Sequence, residues 1–174
     1  METPPKKAEY MTSLSGNNLV CKTHGRIAFR GIIDTLEAEV IEAQVLASRE
    51  GADDICASLG EVLGCLRALM SAEVRDAPLP PPMLFGMSAE EIRRQSHCAA
   101  GGGNLKLPAH TQGAVAARLN YLRAKTREAE LAAARVFAPA AAEAAGTAAR
   151  EDIILALNRL SSALWWLFCE YTAG

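Results

Sequence analysis

The sequence predicts an all-α protein, a bundle of four long helices and a shorter one. Apolar residues recur at intervals of three and four along several separate stretches, which is the period of a helix with one buried face. We find no hairpin dipeptide between alternating apolar runs and no internal repeat. The 174 residues, half of them hydrophobic, suit one domain with a single core. We therefore assign residues 26–174 to the helical bundle and residues 1–25 to an N-terminal arm.

Two long helices are predicted in the first half of the bundle. The first begins near Ile27 and ends at Gly51, and the second follows directly. The apolar face of the first comprises Ile33, Leu36, Val40, Ala43 and Ala47. That of the second comprises Ile55, Leu59, Val62, Leu63, Leu66, Leu69 and Met70. Glu61, Arg67 and Glu73 fall outside this second face.

Prolines, a capping pattern and glycines define the middle of the chain. Four prolines between residues 78 and 82 exclude helix and predict an extended crossing. Ser88 and Glu91 form a capping-box pattern for a short helix that runs toward His97. The segment Ala99–Pro108 contains three consecutive glycines, so we predict a flexible loop there and a candidate lid.

Two more long helices close the predicted bundle. The fourth, rich in alanine, follows His110 and has the apolar positions Val115, Leu119, Leu122, Ala129, Ala133 and Val136. Ala138–Ala149 contains a proline and a glycine, so we interpret it as a connection, although its alanines would also support a helical extension. The last helix starts near Arg150, with the apolar positions Ile153, Leu157, Leu160, Leu164, Leu167 and Phe168.

Charge and cysteine content restrict the class of partner and the compartment. The net charge of −2 provides no field that would attract nucleic acid. The five cysteines form no C-x-x-C pair, so we expect buried reduced thiols. The first ten residues do not resemble a secretory signal, and no apolar run approaches the roughly 20 residues of a membrane helix. These features predict a cytoplasmic protein that binds neither nucleic acid nor membrane.

The fourth predicted helix carries a polar stripe. Arg123, Arg127 and Glu130 occupy positions i, i+4 and i+7 and project from one side of it. Arginine side chains can clamp phosphate oxygens by two-point contacts, and a neighbouring carboxylate can hold a guanidinium in place. The alternative is an exposed ion pair between Arg127 and Glu130 on a solvated face.

Asn158 stands inside the otherwise apolar last helix, followed by Arg159, Ser161 and Ser162. Asparagine is unfavourable in a helix interior unless its amide has a partner. That partner is either a ligand or a polar group of a neighbouring helix, and the sequence leaves both readings open. Trp165 and Trp166 raise a similar choice between stacking on a flat cofactor and packing in the core or a subunit interface.

The N-terminal arm and the start of the first helix offer further candidate ligands. Lys22, with Thr12 and Ser13 before it, could supply a cation, hydroxyls and amides to a triphosphate, although no Walker loop is present. Asp34 lies four and eight residues after Arg30 and Arg26, and a local charge network is the alternative to ligand binding.

Two histidines and a cysteine flank the glycine loop. His97 and Cys98 are adjacent, and His110 follows the loop, a set that would face a metal or cobalt if the loop folds back. The alternative is a surface histidine beside a buried cysteine.

Taken together, several ordered blocks resemble the ethanolamine-utilisation type of cobalamin adenosyltransferase. The similarity covers about residues 11–168. The blocks are Lys22–Glu39, Met83–His97, Arg118–Leu131 and Arg150–Ser162. Leu157–Ser161, with the sequence Leu-Asn-Arg-Leu-Ser, also resembles the wider propanediol-type superfamily.

The resemblance implies a reaction and a set of roles. It implies a five-helix bundle, a homotrimer with active sites between subunits, and transfer of the adenosyl group of ATP, with Mg²⁺, to reduced cobalamin. It matches Arg127 to a triphosphate-binding arginine, Glu130 to the glutamate that accompanies it, and Asn158 to a nucleotide-binding asparagine. Because Co(I) is the nucleophile, no protein nucleophile is required. Phe85, Met87 and Leu84 are candidate wedges that would displace the lower cobalt ligand.

Two family motifs are missing. The phosphate loop Thr-Arg-x-Gly-Asp-x-Gly-x-Thr is absent, and we interpret Thr12–Lys22 as its replacement. The His-x(11)-Cys-Cys-x(2)-Cys metal motif is also absent, so we predict no transition-metal site. The rival hypothesis is a non-catalytic cobalamin carrier, or an assembly protein that meets the proteins of a metabolic microcompartment.

Overall fold

Five helices and a small sheet form the part of the chain that the structure describes. The structure is a computed structural model, and it describes residues 8–101, 107–138 and 149–173. The strands are β1 (Met11–Ser15) and β2 (Asn18–Cys21). The helices are α1 (Gly25–Arg49), α2 (Asp53–Arg75), α3 (Ala89–Gly101), α4 (Gly113–Phe137) and α5 (Glu151–Ala173). The prediction of a mainly helical bundle is confirmed.

One core runs through the bundle. α4 packs most extensively on α5, α1 packs on both α2 and α4, and α3 packs on α5. The predicted apolar faces point inward almost without exception, and only Met70 and Val136 are half-buried. Phe137 takes the terminal core position of α4 and meets Phe29 edge-to-face at 5.5 Å between ring centroids. Helical periodicity therefore identified the core.

The connections agree in part with the prediction. α2 ends at Asp76 in the left-handed conformation, and residues 77–83 form the extended proline crossing. The predicted capping box is present, because Glu91 accepts hydrogen bonds from the Ser88 amide and hydroxyl at 2.8 and 2.7 Å. α3 continues through Gly101, so the loop predicted from Ala99 begins later than expected. The candidate lid and the Ala138–Ala149 connection lie largely outside the described residues.

An N-terminal hairpin corrects the prediction of a purely helical chain. β1 and β2 pair antiparallel around the turn Gly16–Asn17, where Gly16 has a φ of +50°. Gly-Asn is a hairpin dipeptide, but the flanking strands show little alternation because Leu14 is their one buried side chain. The hairpin is fixed by non-local contacts that periodicity does not reveal.

A buried ion cluster at the hairpin end of the bundle is a second correction. The fully buried Glu73 carboxylate accepts from the Nε atoms of Arg26 and Arg30, both at 2.5 Å. Arg30 Nη2 also donates to the Leu14 carbonyl at 2.8 Å, which ties the hairpin to the bundle. The local charge network that was the alternative to ligand binding by Asp34 is therefore wrong. Asp34 is exposed, and both arginines serve Glu73 instead.

Two expectations from composition also change. All five cysteines are free, but Cys21 and Cys98 are exposed and the other three are half-buried, so the expectation of buried thiols is wrong for the first two. α2 and α5 are long and apolar enough to span a membrane by length and composition. Both helices contribute a buried face to the core.

Candidate functional site

A polar cleft opens between α3, α4 and α5. Its volume is about 340 Å³. Its lining residues are Ser96, Leu107, Pro108, Arg123, Arg127, Ser161, Ser162 and Trp165. Two arginines of the predicted stripe thus share one cavity with three serines and an indole. This is a set suited to an anionic ligand that carries a flat ring.

Antiparallel packing of α4 and α5 explains how the cleft is assembled. The Ala149 amide donates to the Phe137 carbonyl at 2.8 Å, so the end of α4 lies beside the start of α5. Glu130 of α4 and Asn158 of α5 then lie at the same level along the two helix axes. Arg127 is one turn before Glu130 and Ser161 is one turn after Asn158, so both are displaced toward the same cavity.

The cleft arginines differ in their surroundings. Arg123 is half-buried, donates from Nε to Asn120 Oδ1 at 3.1 Å, and its guanidinium lies 5.5 Å from the centre of the Trp165 ring. Burial, and then the nearby charge of Arg127, lowers the pKa of Arg123, although an arginine remains charged at neutral pH. Arg127 is exposed and forms no ion pair with another described residue. Among the described residues no carboxylate lines the cleft, so the charge of this lining is positive.

Glu130 and Asn158 form a hydrogen bond beside the cleft. Asn158 Nδ2 donates to Glu130 Oε1 at 2.9 Å, and Arg159 Nη1 donates to Asn158 Oδ1 at 2.6 Å. The alternative of an ion pair between Arg127 and Glu130 is therefore wrong, because Glu130 binds across to α5. The reading of Asn158 as a hydrogen-bonding partner of a neighbouring helix is confirmed, while its role toward a ligand stays a prediction.

The other predicted ligands of the triphosphate lie outside this cleft. Thr12 and Ser13 are in β1, where Ser13 Oγ donates to the Gly16 carbonyl at 2.7 Å, and Lys22 is exposed after β2. None of the three lines the cavity. Arg30, which we predicted as a ligand, has its guanidinium occupied by Glu73 and Leu14. That prediction is corrected on the ground that a buried carboxylate already neutralises its charge.

Phe85 lies at the tip of a tight turn between the proline crossing and α3. Its φ is +56°, and its amide donates to Glu61 Oε2 at 2.7 Å. Its ring stacks on Trp166 with 5.7 Å between centroids. Leu84 is 1% exposed within the core, so its side chain is unavailable as a wedge, in contrast to half-buried Phe85 and Met87. Phe85 does not line the arginine cleft.

His97 and Cys98 are both exposed on α3, next to the lining residue Ser96. The alternative of a surface histidine beside a buried cysteine is therefore wrong for Cys98, which is exposed. Within residues 8–101, 107–138 and 149–173, no three His, Cys, Asp or Glu side chains come together as a metal site. A role for His97 toward cobalamin stays a prediction.

The cleft also contains residues that the sequence did not single out. Ser96, Leu107 and Pro108 reach it from α3 and the segment before α4. Ser161 and Ser162 were noted after Asn158 but not assigned to the site, although they follow it by three and four residues and share its side of α5. Nothing local marks Ser96, because its place depends on the packing of α3 against α5.

Comparison with known proteins identifies the family. The family model described as cobalamin adenosyltransferase matches residues 6–171. The chain belongs to the cobalamin adenosyltransferase family. The resemblance inferred from the ordered sequence blocks is thereby confirmed. No solved structure matches this family member.

Curated relatives of this adenosyltransferase-family chain carry the name corrinoid adenosyltransferase EutT. Those of Escherichia coli strain K12 and Salmonella typhimurium strain LT2 are each 33% identical over 162 residues. The matches cover 92% of this chain and 58% of each relative, so the chain spans little more than half of their length.

Proposed function

We propose that this chain transfers the 5′-deoxyadenosyl group of ATP to cob(I)alamin and releases triphosphate. Family membership supports adenosyl transfer to a corrinoid. The observation that carries the finer proposal is the cleft that two arginines line, with no carboxylate among its described lining residues. An uncompensated pair of cations suits a polyphosphate, and an adjacent indole and serines suit a nucleoside.

The reaction assigns a limited task to the protein. The Co(I) electron pair forms a bond to the 5′ carbon, the bond from that carbon to oxygen breaks, and triphosphate leaves with its electrons. Arg123 and Arg127 would hold the triphosphate and stabilise its increasing charge. Glu130 and Asn158, one turn away, would orient the nucleoside. No protein nucleophile is needed.

Magnesium would be bound chiefly through the nucleotide. Mg²⁺ prefers oxygen ligands and retains several waters, and the described lining residues of the cleft provide hydroxyls but no carboxylate. The side chains present therefore fit Mg²⁺ carried in on the triphosphate, with Glu130, which accepts a hydrogen bond from Asn158, as the acidic group beside the cleft.

The corrin face and the assembly extend the proposal. Phe85, which stacks on Trp166, and the half-buried Met87 would form an apolar surface that displaces the lower cobalt ligand, and His97 would lie on the corrin side. The cleft of the same subunit is not lined by Thr12, Ser13 or Lys22. These residues therefore suit a trimer in which the hairpin of one subunit completes the site of a neighbour. A cytoplasmic location and contact with microcompartment proteins stay predictions.

Replacement of Arg127 by alanine tests the function. Arg127 is exposed, so we expect Arg127→Ala to fold normally but to lose at least about tenfold in kcat/KM for ATP, as one charge-assisted hydrogen bond implies. The measurement is an anaerobic assay of ATP with chemically reduced cobalamin, followed at the corrin absorption bands. Arg67→Ala is the control, because Arg67 lies on α2 and pairs with Glu37. Equal turnover in the Arg127 variant and wild type would reject the site.

A carrier without catalytic activity would behave differently. It would bind cob(II)alamin with no spectral change that depends on ATP, and it would form no adenosylcobalamin. A four-coordinate cob(II)alamin spectrum that appears only when ATP is present supports the enzyme.

A further inference from the structure

A buried arginine lies behind the pair of residues that we assign to the nucleoside. Arg159 is 7% exposed within α5. Its Nη1 donates to Asn158 Oδ1 at 2.6 Å, and its Nη2 lies 3.7 Å from Glu90 Oε1 at the start of α3. Its buried Nε has no hydrogen-bond partner among the described residues. Such burial is costly for a charged group and calls for a functional explanation.

Arg159 determines which way the Asn158 amide faces. An asparagine amide has one acceptor oxygen and one donor nitrogen, and the two ends can exchange by rotation about the last side-chain bond. A guanidinium only donates and a carboxylate only accepts. Arg159 on one side and Glu130 on the other therefore permit a single orientation, with Oδ1 toward Arg159 and Nδ2 toward Glu130.

The guanidinium itself is poorly placed to contact a ligand. Arg159 does not line the cleft, whereas its neighbours Ser161 and Ser162 do. Successive helix residues are turned by about 100°, so Arg159 points from α5 toward α3 while Asn158 faces α4. Its contact with the groups beside the cleft is the hydrogen bond to Asn158.

We propose that Arg159 is a positioning residue that locks the Asn158 amide and, through it, the Glu130 carboxylate in the geometry that receives the nucleoside. This inference rests on the proposed function of the cleft. Asn158 keeps a second Nδ2 hydrogen, and Glu130 keeps Oε2, for which the described residues provide no hydrogen bond. The lock holds this Nδ2 hydrogen and this Oε2 atom in fixed positions before the nucleotide binds. It thereby reduces the loss of side-chain freedom on binding.

Replacement of Arg159 by lysine tests the lock while keeping the charge. Lysine is a flexible point donor and does not reproduce a planar guanidinium between two partners. We expect KM for ATP to rise about tenfold, the value for one charge-assisted hydrogen bond, with a smaller fall in kcat. Arg67→Lys is the matched control, because Arg67 on α2 pairs with Glu37 on α1 and neither residue lines the cleft. We expect it to leave both constants unchanged.

A nuclear magnetic resonance measurement separates positioning from mere stability. In the wild-type protein, one Asn158 Nδ2 hydrogen should resonate downfield and exchange slowly with solvent, because it is bonded to a carboxylate. In Arg159→Lys, that signal should move toward the position of a free amide while the backbone spectrum keeps its pattern. The wild-type part of this measurement applies even if the variant does not fold.

The outcomes are distinct for the two proposals. If wild type forms no adenosylcobalamin, the proposed function fails, and the Asn158 signal still tests the lock. If wild type is active but Arg159→Lys keeps its KM for ATP and its Asn158 signal, the lock is wrong. Rapid exchange of both Asn158 amide hydrogens in the wild-type protein would also overturn it.

Discussion

Two arginine pairs on neighbouring parts of the bundle have opposite surroundings. At the hairpin end, Arg26 and Arg30 converge on the fully buried carboxylate of Glu73. In the cleft, Arg123 and Arg127 face a cavity to which the described part of the chain contributes no carboxylate. Both pairs are spaced four residues apart on a long helix. Their sequences look alike, but one pair is neutralised within the fold and the other leaves its charge for a ligand.

The difference shows what qualifies a cation as a ligand-binding group. A buried carboxylate between two guanidinium groups uses their hydrogen bonds and their charge, so those arginines stabilise structure. Two neighbouring cations without such a carboxylate repel each other, as the lowered pKa of Arg123 reflects after the larger effect of burial. An anionic ligand removes that repulsion. The available charge, rather than the number of arginines, thus distinguishes the two regions.

Removal of the Glu73 carboxylate should have the largest effect on stability. Glu73→Ala leaves two partly buried guanidinium groups facing each other, and loss of one member of a buried ion pair costs about 3 to 5 kcal/mol. Urea unfolding, followed by the helical circular dichroism signal, measures this loss. Glu37→Ala is the control, since Glu37 pairs at 3.6 Å with a largely exposed arginine and should cost less than about 1 kcal/mol.

A matched apolar replacement sharpens the same test. The triple variant Arg26→Met, Arg30→Met, Glu73→Leu removes every charge of the buried set, and we expect it to recover much of the stability lost by Glu73→Ala. An equally small loss in Glu73→Ala and Glu37→Ala would mean that the hairpin end is not held by this cluster.

Loss of one cleft arginine should have a smaller effect, and on binding rather than folding. Arg123→Ala removes a cation that faces the cavity, so affinity for inorganic triphosphate should fall about 10- to 100-fold, or roughly 1.5 to 3 kcal/mol. Isothermal titration calorimetry measures that affinity. Lys125→Ala is the control on the same helix, because Lys125 already pairs with Glu128 at 2.8 Å. Equal losses in both variants would indicate that triphosphate responds to general charge and not to the cleft.

Periodicity in the sequence predicted the helices because it depends on residues three and four positions apart. The α1 stripe from Ile33 to Ala47 is buried as predicted, and so is the α5 stripe from Ile153 to Phe168. The hairpin escaped prediction because Leu14 and its contact with Arg30 hold it in place, and these are 16 residues apart. Glu73 escaped for the same reason, since its arginines lie 43 and 47 residues away.

The candidate site was predictable only where it follows one helix. The spacing of Arg123 and Arg127 predicted that both project from one side of α4, and both line the same cavity. Their polar partners from α3 and α5 depend on how three helices pack, and no local pattern encodes that packing. Arg30 was misassigned because the sequence marks a cation but not the buried carboxylate that satisfies it.

Asp152 allows the smallest test of the comparison, at the neutralised end of the bundle. Burial alone would raise its pKa, but hydrogen bonds from Arg150 and from the Leu79 and Ile153 amides together lower the pKa below its ordinary value of 3.8. A carboxyl with a depressed folded-state pKa stabilises the protein above its unfolded pKa, and this contribution is lost as the pH falls through the folded value. Asp152→Asn should therefore be less stable than wild type by up to about 1 kcal/mol at pH 6, and the gap should close below pH 3.8. Urea unfolding at pH 6 and below pH 3.8 measures this difference in stability. A difference that persists in acid would show that Asp152 acts by packing rather than by charge.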